Sequence, residues 1–110
     1  MRPYRNYFRE FLDNVANCQK EMIEMFEEFN VNEITLPKDD VCLCRKEEEY
    51  IFFDNIKTMK CNGEGNCKSL SVITDNDEEY GLSEYEYEDI LSVYDEVYMT
   101  FDKMSYGKRL

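Results

Sequence analysis

The sequence predicts an α+β fold in which a long N-terminal helix and an acidic C-terminal helix pack on a small antiparallel β-meander of three to five strands. Apolar residues recur with helical period near both ends of the chain. Between these segments, Val, Ile, Thr and Phe cluster in short runs that turn-forming residues separate. The 110 residues match the length of one ordinary domain, so we predict a single domain over residues 1–110.

The first helix is predicted from Tyr4 to Phe29. Pro3 suits a first helical turn, and Asn30 tolerates the left-handed conformation that ends many helices. The apolar residues follow a heptad pattern with two sets of equivalent positions: Phe8, Val15, Met22 and Phe29, and Phe11, Cys18 and Met25. Such a stripe is usually core that packs on the protein's own sheet, and the alternative is a homodimer in which the N-terminal helix pairs with its twin.

Short apolar runs predict the strands of the meander. The runs are EITLP, VCLC, EEYIFF, IKTMKC and KSLSVIT. Pro37 and the three residues after it predict a turn, and the stretch NGEGN at residues 62–66 predicts a hairpin loop. The strands are therefore expected to be short and to pair with their neighbours along the chain.

The start of the C-terminal helix carries two local signals. Ser83 and Glu86 match a capping box, and Leu82 and Tyr87 occupy the positions of a hydrophobic staple. An apolar stripe then follows at Tyr87, Ile90, Leu91, Tyr94, Val97, Tyr98 and Phe101. For the whole domain we predict a core of Phe8, Phe11, Val15, Met22, Phe26, Ile51, Phe53, Leu70, Val72, Ile90, Leu91 and Tyr94.

The charge of the chain is strongly acidic and unevenly distributed. The formal net charge is −12, and no Lys or Arg occurs between Lys68 and Lys103. Such a surface repels phosphate backbones and anionic lipids, so we expect no direct binding to nucleic acid or to a membrane. A basic protein or a divalent cation is the expected partner. The first residues lack the apolar run of a signal peptide, and no stretch is long and apolar enough to span a bilayer, so we expect a cytoplasmic protein.

Four of the five cysteines form the first candidate metal site. Cys42 and Cys44 would share one face of a strand, and Cys61 and Cys67 flank the NGEGN loop, so four thiolates could converge on zinc. Their spacings of one and five intervening residues differ from those of zinc knuckles, which favours small buried apolar side chains instead. A disulfide between Cys61 and Cys67 is geometrically easy, but a reducing compartment favours free thiols.

The stretch DNDEEYGLSEYE, residues 75–86, is the second candidate metal site. Asp75, Asp77, Glu79 and Glu86 occupy positions one, three, five and twelve of a loop that resembles the calcium loop of EF-hand proteins. Position six of that loop is Tyr80, and the glycine comes one residue late. A turn followed by the capping box explains the same residues without calcium.

The acidic run from Asp75 to Asp102 is the candidate binding surface. A row of carboxylates imitates a phosphate backbone and can occupy the basic cleft of a nucleic-acid-binding protein. In charge and size the chain is similar to the small acidic inhibitors with which phages and mobile elements block restriction or CRISPR nucleases. The predicted contact residues are Glu84, Tyr85, Glu88, Asp89, Asp95 and Glu96. The alternatives are a solvated helix face that only keeps the protein soluble, a metal-binding module and a structural dimerising protein.

The sequence offers little support for catalysis. The chain contains no His, so a Cys-His or Ser-His nucleophile is excluded. Carboxylates are too numerous to single out a general base, and the glycines of NGEGN do not match a phosphate-binding loop. We therefore expect a non-enzymatic interaction protein without a cofactor.

Overall fold

A computed structural model describes residues 4–37 and 41–108, with the side chains of residues 4–8 and 107–108 excepted. The chain forms α1 (Tyr4–Phe29), β1 (Glu33–Thr35), β2 (Cys42–Glu47), β3 (Tyr50–Asn62), β4 (Ser69–Thr74), β5 (Glu79–Gly81), a short 3₁₀ helix (Leu82–Glu84) and α2 (Tyr87–Lys108). The predicted α+β arrangement of two helices and a small antiparallel sheet is confirmed.

The sheet is built around β3, which is one strand of 13 residues. The runs EEYIFF and IKTMKC, predicted as separate strands, are its two halves, joined across an irregularity in register between Ile56 and Thr58. Thr58 pairs with β1 on one edge and with β4 on the other. Ile56 pairs with β4 and donates its N–H to the carbonyl of Val41, so β2 lies on the same edge of β3 as β1. Strand β5 extends the sheet beyond β4.

Helices α1 and α2 lie side by side and run parallel. Aromatic rings meet at increasing positions along both helices: Phe11 with Tyr87 at 6.0 Å between centroids, and Phe26 with Phe101 at 5.2 Å. The core lies between this helix pair and the sheet, and its buried members include Val15, Met22, Phe26, Leu43, Met59, Val72, Ile90, Val93, Val97 and Phe101. The stripe of α1 is therefore used within the protomer.

Most of the predicted core is confirmed. Six predicted residues are buried: Val15, Met22, Phe26, Leu70, Val72 and Ile90. Phe11, Leu91 and Tyr94 are half-buried and pack against that cluster. The side chain of Phe8 lies outside the described part of the chain.

The prediction was wrong for Ile51 and Phe53. Their side chains are 56% and 72% exposed. Both lie in the half of β3 that pairs with β2, beyond the point where β4 ends opposite Ile56. The apolar run fitted a buried strand, but no layer of the described chain covers this part of the hairpin.

The predicted start of α2 was also wrong. The helix begins at Tyr87, so Ser83 is not its N-cap and lies in the preceding 3₁₀ turn. Tyr85 has an extended backbone, with φ −99° and ψ 162°, and both Leu82 and Tyr85 are buried. Burying these two side chains requires the break in helical conformation, which delays the helix by about one turn. Tyr87, the expected partner of Leu82 in the staple, is exposed and packs on Phe11 instead.

The local signals at the other turns have mixed outcomes. Asn30 has φ 53° and follows the last residue of α1, as predicted. A loop at residues 63–68 joins β3 to β4, so the hairpin loop predicted at residues 62–66 is confirmed, with Asn62 as the last residue of β3. The predicted first-turn Pro3 and residues 38–40 of the turn at Pro37 lie outside the described residues.

Cys61 and Cys67 close the loop between β3 and β4. The structure joins them in a disulfide, with 5.4 Å between their Cα atoms, where we expected free thiols. The hairpin explains this pairing, because the loop brings its two ends to a separation that a disulfide spans without backbone movement. Among the described residues, Cys18, Cys42 and Cys44 are free.

Neither helix, over the residues described, combines the length and the apolar character that a membrane crossing requires.

Candidate functional site

The structure separates the six residues of the predicted binding surface into three groups. Glu88 and Asp95 are exposed and lie seven residues apart, on one outward-facing row of α2. Glu84 is exposed in the 3₁₀ turn before the helix. Asp89 and Glu96, also seven residues apart, are half-buried, and Asp89 lies on the side of α2 that faces β2.

Tyr85 is not a rim contact as predicted, since only 4% of its surface is exposed. Its ring packs edge-on against Tyr80 at 6.3 Å between centroids, and the Arg45 guanidinium lies 4.0 Å from the Tyr80 ring centre. Burial raises the pKa of the Tyr85 hydroxyl above its usual range, and the nearby Asp54 carboxylate adds to this shift. Tyr85 therefore anchors the segment before α2 to the sheet and is unavailable to a partner.

Helix α1 adds acidic groups beside those of α2. The Tyr94 hydroxyl donates a hydrogen bond to Glu21, which together with burial raises the pKa of Tyr94 to about 12. Burial, Glu21 and Asp95 together raise the pKa of the Cys18 thiol, so these two carboxylates flank the same point between the helices.

Two turns further along, Glu28 and Asp102 line a shallow cleft between the helices. The cleft has a volume of about 190 Å³ and is also lined by Met25 and Tyr98. We name the set Glu21, Glu28, Glu88, Asp95 and Asp102 the acidic seam.

The acidic seam consists of two parallel rows of carboxylates. Glu21 and Glu28 lie seven residues apart on α1, and Glu88, Asp95 and Asp102 have the same spacing on α2. Seven residues advance an α-helix by about 10.5 Å. The axes of packed helices are about 8–10 Å apart, so neighbouring carboxylates recur on a scale of roughly 10 Å in both directions.

No seam carboxylate forms an ion pair within the described part of the chain. The ion pairs found there join Arg45 to Asp54, Lys57 to Asp77 and Lys60 to Glu79, in the sheet and in its β4–β5 turn. Among the described residues, no cation therefore neutralises a seam carboxylate at ion-pair distance, and the exposed ring of Tyr98 lies beside the seam.

The carboxylates of the EF-hand-like loop do not converge. Asp77, with φ 63°, lies in the turn between β4 and β5 and pairs with Lys57 at 3.1 Å. Glu79 lies on β5 and pairs with Lys60 at 2.6 Å. Asp75 belongs to the same turn as Asp77, whereas Glu86 immediately precedes α2. These residues serve the sheet and its turn in this structure.

The four candidate zinc cysteines are likewise divided. Cys42 and Cys44 lie on β2, opposite Asn55 and Phe53, while Cys61 and Cys67 are bonded to each other. Over residues 4–37 and 41–108, no group of three or more Cys, Asp or Glu side chains is arranged to hold a metal ion.

No protein-family model, curated protein or solved structure matches this chain.

Asp89, predicted as a contact residue of the binding surface, connects α2 to the sheet. Its carboxylate accepts a hydrogen bond from the backbone N–H of Cys44 on β2, and so joins the first turn of α2 to the edge of the sheet. Burial and the neighbouring Glu86 nevertheless raise the pKa of Asp89 above its usual value. The charged form is thus disfavoured in the folded state, although the contact itself needs only an acceptor oxygen.

We expect the free energy of unfolding of Asp89→Asn to lie within about 0.5 kcal/mol of the wild-type value, because the amide oxygen still accepts the hydrogen bond from the backbone N–H of Cys44. Asp89→Ala should be less stable than Asp89→Asn by about 1 kcal/mol, the value of one such bond. Because the folded-state pKa is raised, the contribution of Asp89 is fully present below its unfolded pKa and is lost as pH rises through the folded value. Urea unfolding of all three proteins at pH 4 and pH 7 checks this. Equal losses for Asn and Ala would contradict the proposed contact.

The sequence reasoning missed an exposed apolar surface at the tip of the β2–β3 hairpin. We name it the apolar hairpin: Tyr50, Ile51, Phe52 and Phe53, which are 68%, 56%, 42% and 72% exposed. A signal was present in the sequence, since β2 is apolar only in its first half and continues as Arg45-Lys46-Glu47 opposite these residues. Contiguous exposed apolar side chains of this kind mark interaction surfaces.

Proposed function

We propose that this protein is a non-enzymatic interaction protein that presents the acidic seam to a basic, nucleic-acid-binding protein and thereby blocks its nucleic-acid site. The observation that supports the proposal most is the set of five seam carboxylates, aligned in two rows along parallel helices and without an ion pair to any residue that the structure describes. On a surface whose charges cancel, lysines or arginines lie among the carboxylates, as they do on the sheet.

The chemistry of the seam suits a cleft that binds phosphates. Arg and Lys side chains that grip phosphate oxygens also bind carboxylates, often with two parallel hydrogen bonds from one guanidinium. Proteins that bind single-stranded nucleic acid also stack its bases on their aromatic side chains. The exposed ring of Tyr98, beside the carboxylates, provides a flat apolar surface that can take the place of such a base. The long-range part of such an attraction is screened by salt, so binding should weaken as ionic strength rises.

The test compares two variants that change the charge of the protein equally. One replaces three seam residues, Glu88→Gln, Asp95→Asn and Asp102→Asn. The other replaces three exposed residues of the β4–β5 turn, Asp75→Asn, Asp77→Asn and Glu78→Gln. Tagged proteins are used to capture binding proteins from a lysate of the source cell, and the affinity of the recovered basic protein is then measured.

We expect the seam variant to bind its partner at least about tenfold more weakly than the wild type, with a shallower dependence on salt. The turn variant should stay within about twofold, because only general electrostatic attraction is reduced. Equal weakening in both variants would mean that net charge alone attracts the partner, and the proposal would be wrong.

We further propose that the protein acts in the cytoplasm. In that compartment glutathione would keep Cys61 and Cys67 largely reduced, and the hairpin hydrogen bonds from Lys68 to Asn62 and along β3 and β4 would then hold the loop.

A further inference from the structure

The apolar hairpin lies on a stretch of β3 that has a strand on only one side. Residues 50–55 of β3 pair with β2, and pairing with β4 begins only at Ile56. Ile56 donates its N–H to Val41, so alternate residues of β3 point their backbone groups toward β2. The backbone groups of Ile51 and Phe53 therefore point the other way, to an edge that no strand of the described chain occupies.

The side chains of the apolar hairpin flank this edge on both faces of the sheet, because successive side chains of a strand point to opposite faces. A large side chain has about 150–250 Å² to bury, so the exposed fractions of the four residues amount to roughly 500 Å² in each copy. Strand pairing across the edge would cover the part of this area that borders the partner strand.

Charge distinguishes this surface from the rest of the molecule. The whole chain has a net charge of −12, whereas residues 50–53 carry no charge; on β2, Arg45 and Lys46 lie opposite Phe52 and Ile51, and Glu47 lies opposite Tyr50. Two copies that approached through their helices would bring the acidic seams together, whereas contact at the apolar hairpin avoids this repulsion. An antiparallel strand edge is also complementary to itself under a two-fold axis.

We propose that the free edge of β3 is the docking site for a second copy of this chain. The two β3 strands pair antiparallel about a two-fold axis at Phe52, so that Ile51 of each copy faces Phe53 of the other. In this register the free N–H and C=O groups of Ile51 and Phe53 form four hydrogen bonds between the copies. The five-stranded sheets join into one continuous sheet, and this dimer does not depend on the acidic seam.

The test measures the mass of the full chain in solution over a wide concentration range. The wild type should change from 13.3 kDa to twice that mass as concentration rises. The double variant Ile51→Lys and Phe53→Lys should stay at the monomer mass, because lysine on an edge opposes strand pairing. Since the two lysines lower the net negative charge, a loss of the dimer cannot come from stronger overall repulsion.

A matched control introduces the same charge elsewhere. Met99→Lys and Tyr106→Lys also replace exposed apolar residues, and this variant should still form the dimer. Thermal unfolding of each dilute variant shows that the monomer is folded. Hydrogen exchange of the wild type gives a second readout, in which the amides of Ile51 and Phe53 become protected as the dimer forms.

A wild type that remains monomeric at every concentration would overturn the proposal. So would a lysine variant at residues 51 and 53 that dimerises as the wild type does, or a dimer in which the amides of Ile51 and Phe53 exchange as fast as in the monomer.

Discussion

Replacing Phe26 by alanine is expected to lower the free energy of unfolding by about 3–5 kcal/mol, the usual cost of removing a buried aromatic ring. Phe26 lies on the side of α1 that faces α2 and the sheet. It is 1% exposed, and its ring centre is 5.2 Å from that of Phe101. A domain of this size is stabilised by only about 5–15 kcal/mol, so the loss is a large fraction of the total.

Phe53→Ala is the matched control, because the same ring is removed from a residue that the sequence pattern also assigned to the core. Since Phe53 is exposed in the monomer, we expect a change within about 0.5 kcal/mol. Urea unfolding of both variants should be measured at a dilution where the chain is monomeric. Similar losses for the two would show that the outer half of β3 is covered in the monomer, contrary to the structure.

Gly63→Ala is expected to have the second-largest effect on stability, about 2 kcal/mol or more. Gly63 has φ +139°, a conformation that residues with a side chain rarely adopt. An added Cβ would also clash with the backbone carbonyl oxygen of Asn66 and press on the N–H of Lys68. That N–H donates to the carbonyl of Asn62 in the hairpin, so relief of the clash would break this bond.

Gly65→Ala separates the clash from backbone strain. Gly65 also has a positive φ, of +85°, but nothing lies within 4 Å of the position of its Cβ. Its replacement should cost only about 1 kcal/mol, from the left-handed backbone alone. Thermal unfolding of both variants under oxidising and reducing conditions gives the comparison. An equal loss of stability in the Gly65→Ala and Gly63→Ala variants would be inconsistent with the loop geometry.

Local patterns predicted the elements of the fold well because their signals are contained in neighbouring residues. The heptad stripe identified α1, and its members Val15 and Met22 are buried. Asn30 ends that helix in the left-handed conformation expected from its residue type. The loop at residues 62–66 likewise carried its own turn residues.

Tertiary placement could not be predicted in the same way. Whether Ile51 and Phe53 are covered depends on where β4 ends and on which part of the sheet the helices cover, and neither is a property of residues 50–53. Tyr85 falls within the helix that the capping box at Ser83 predicts, but its burial beside Tyr80 changes the backbone and moves the start of α2. In both cases long-range contacts overrode a plausible local pattern.

The candidate site could be predicted only in part, because it too depends on long-range contacts. Glu88 and Asp95 were identified from the helix of which they are part, and both lie in the acidic seam. Glu21 and Glu28 join them only because α1 and α2 run parallel and adjacent, which requires the complete fold. Asp89 was assigned to the surface by its charge, whereas its hydrogen bond to Cys44 became visible only in three dimensions.

We propose that the acidic seam occupies a nucleic-acid site on a basic partner. Competition between this protein and nucleic acid for the partner tests the proposal most directly. The partner is captured on the immobilised wild-type protein, and double-stranded DNA or RNA is added at constant salt. We predict that nucleic acid displaces the partner, and that the seam variant fails to displace nucleic acid from it. A complex in which the partner binds this protein and nucleic acid at the same time would contradict the claim.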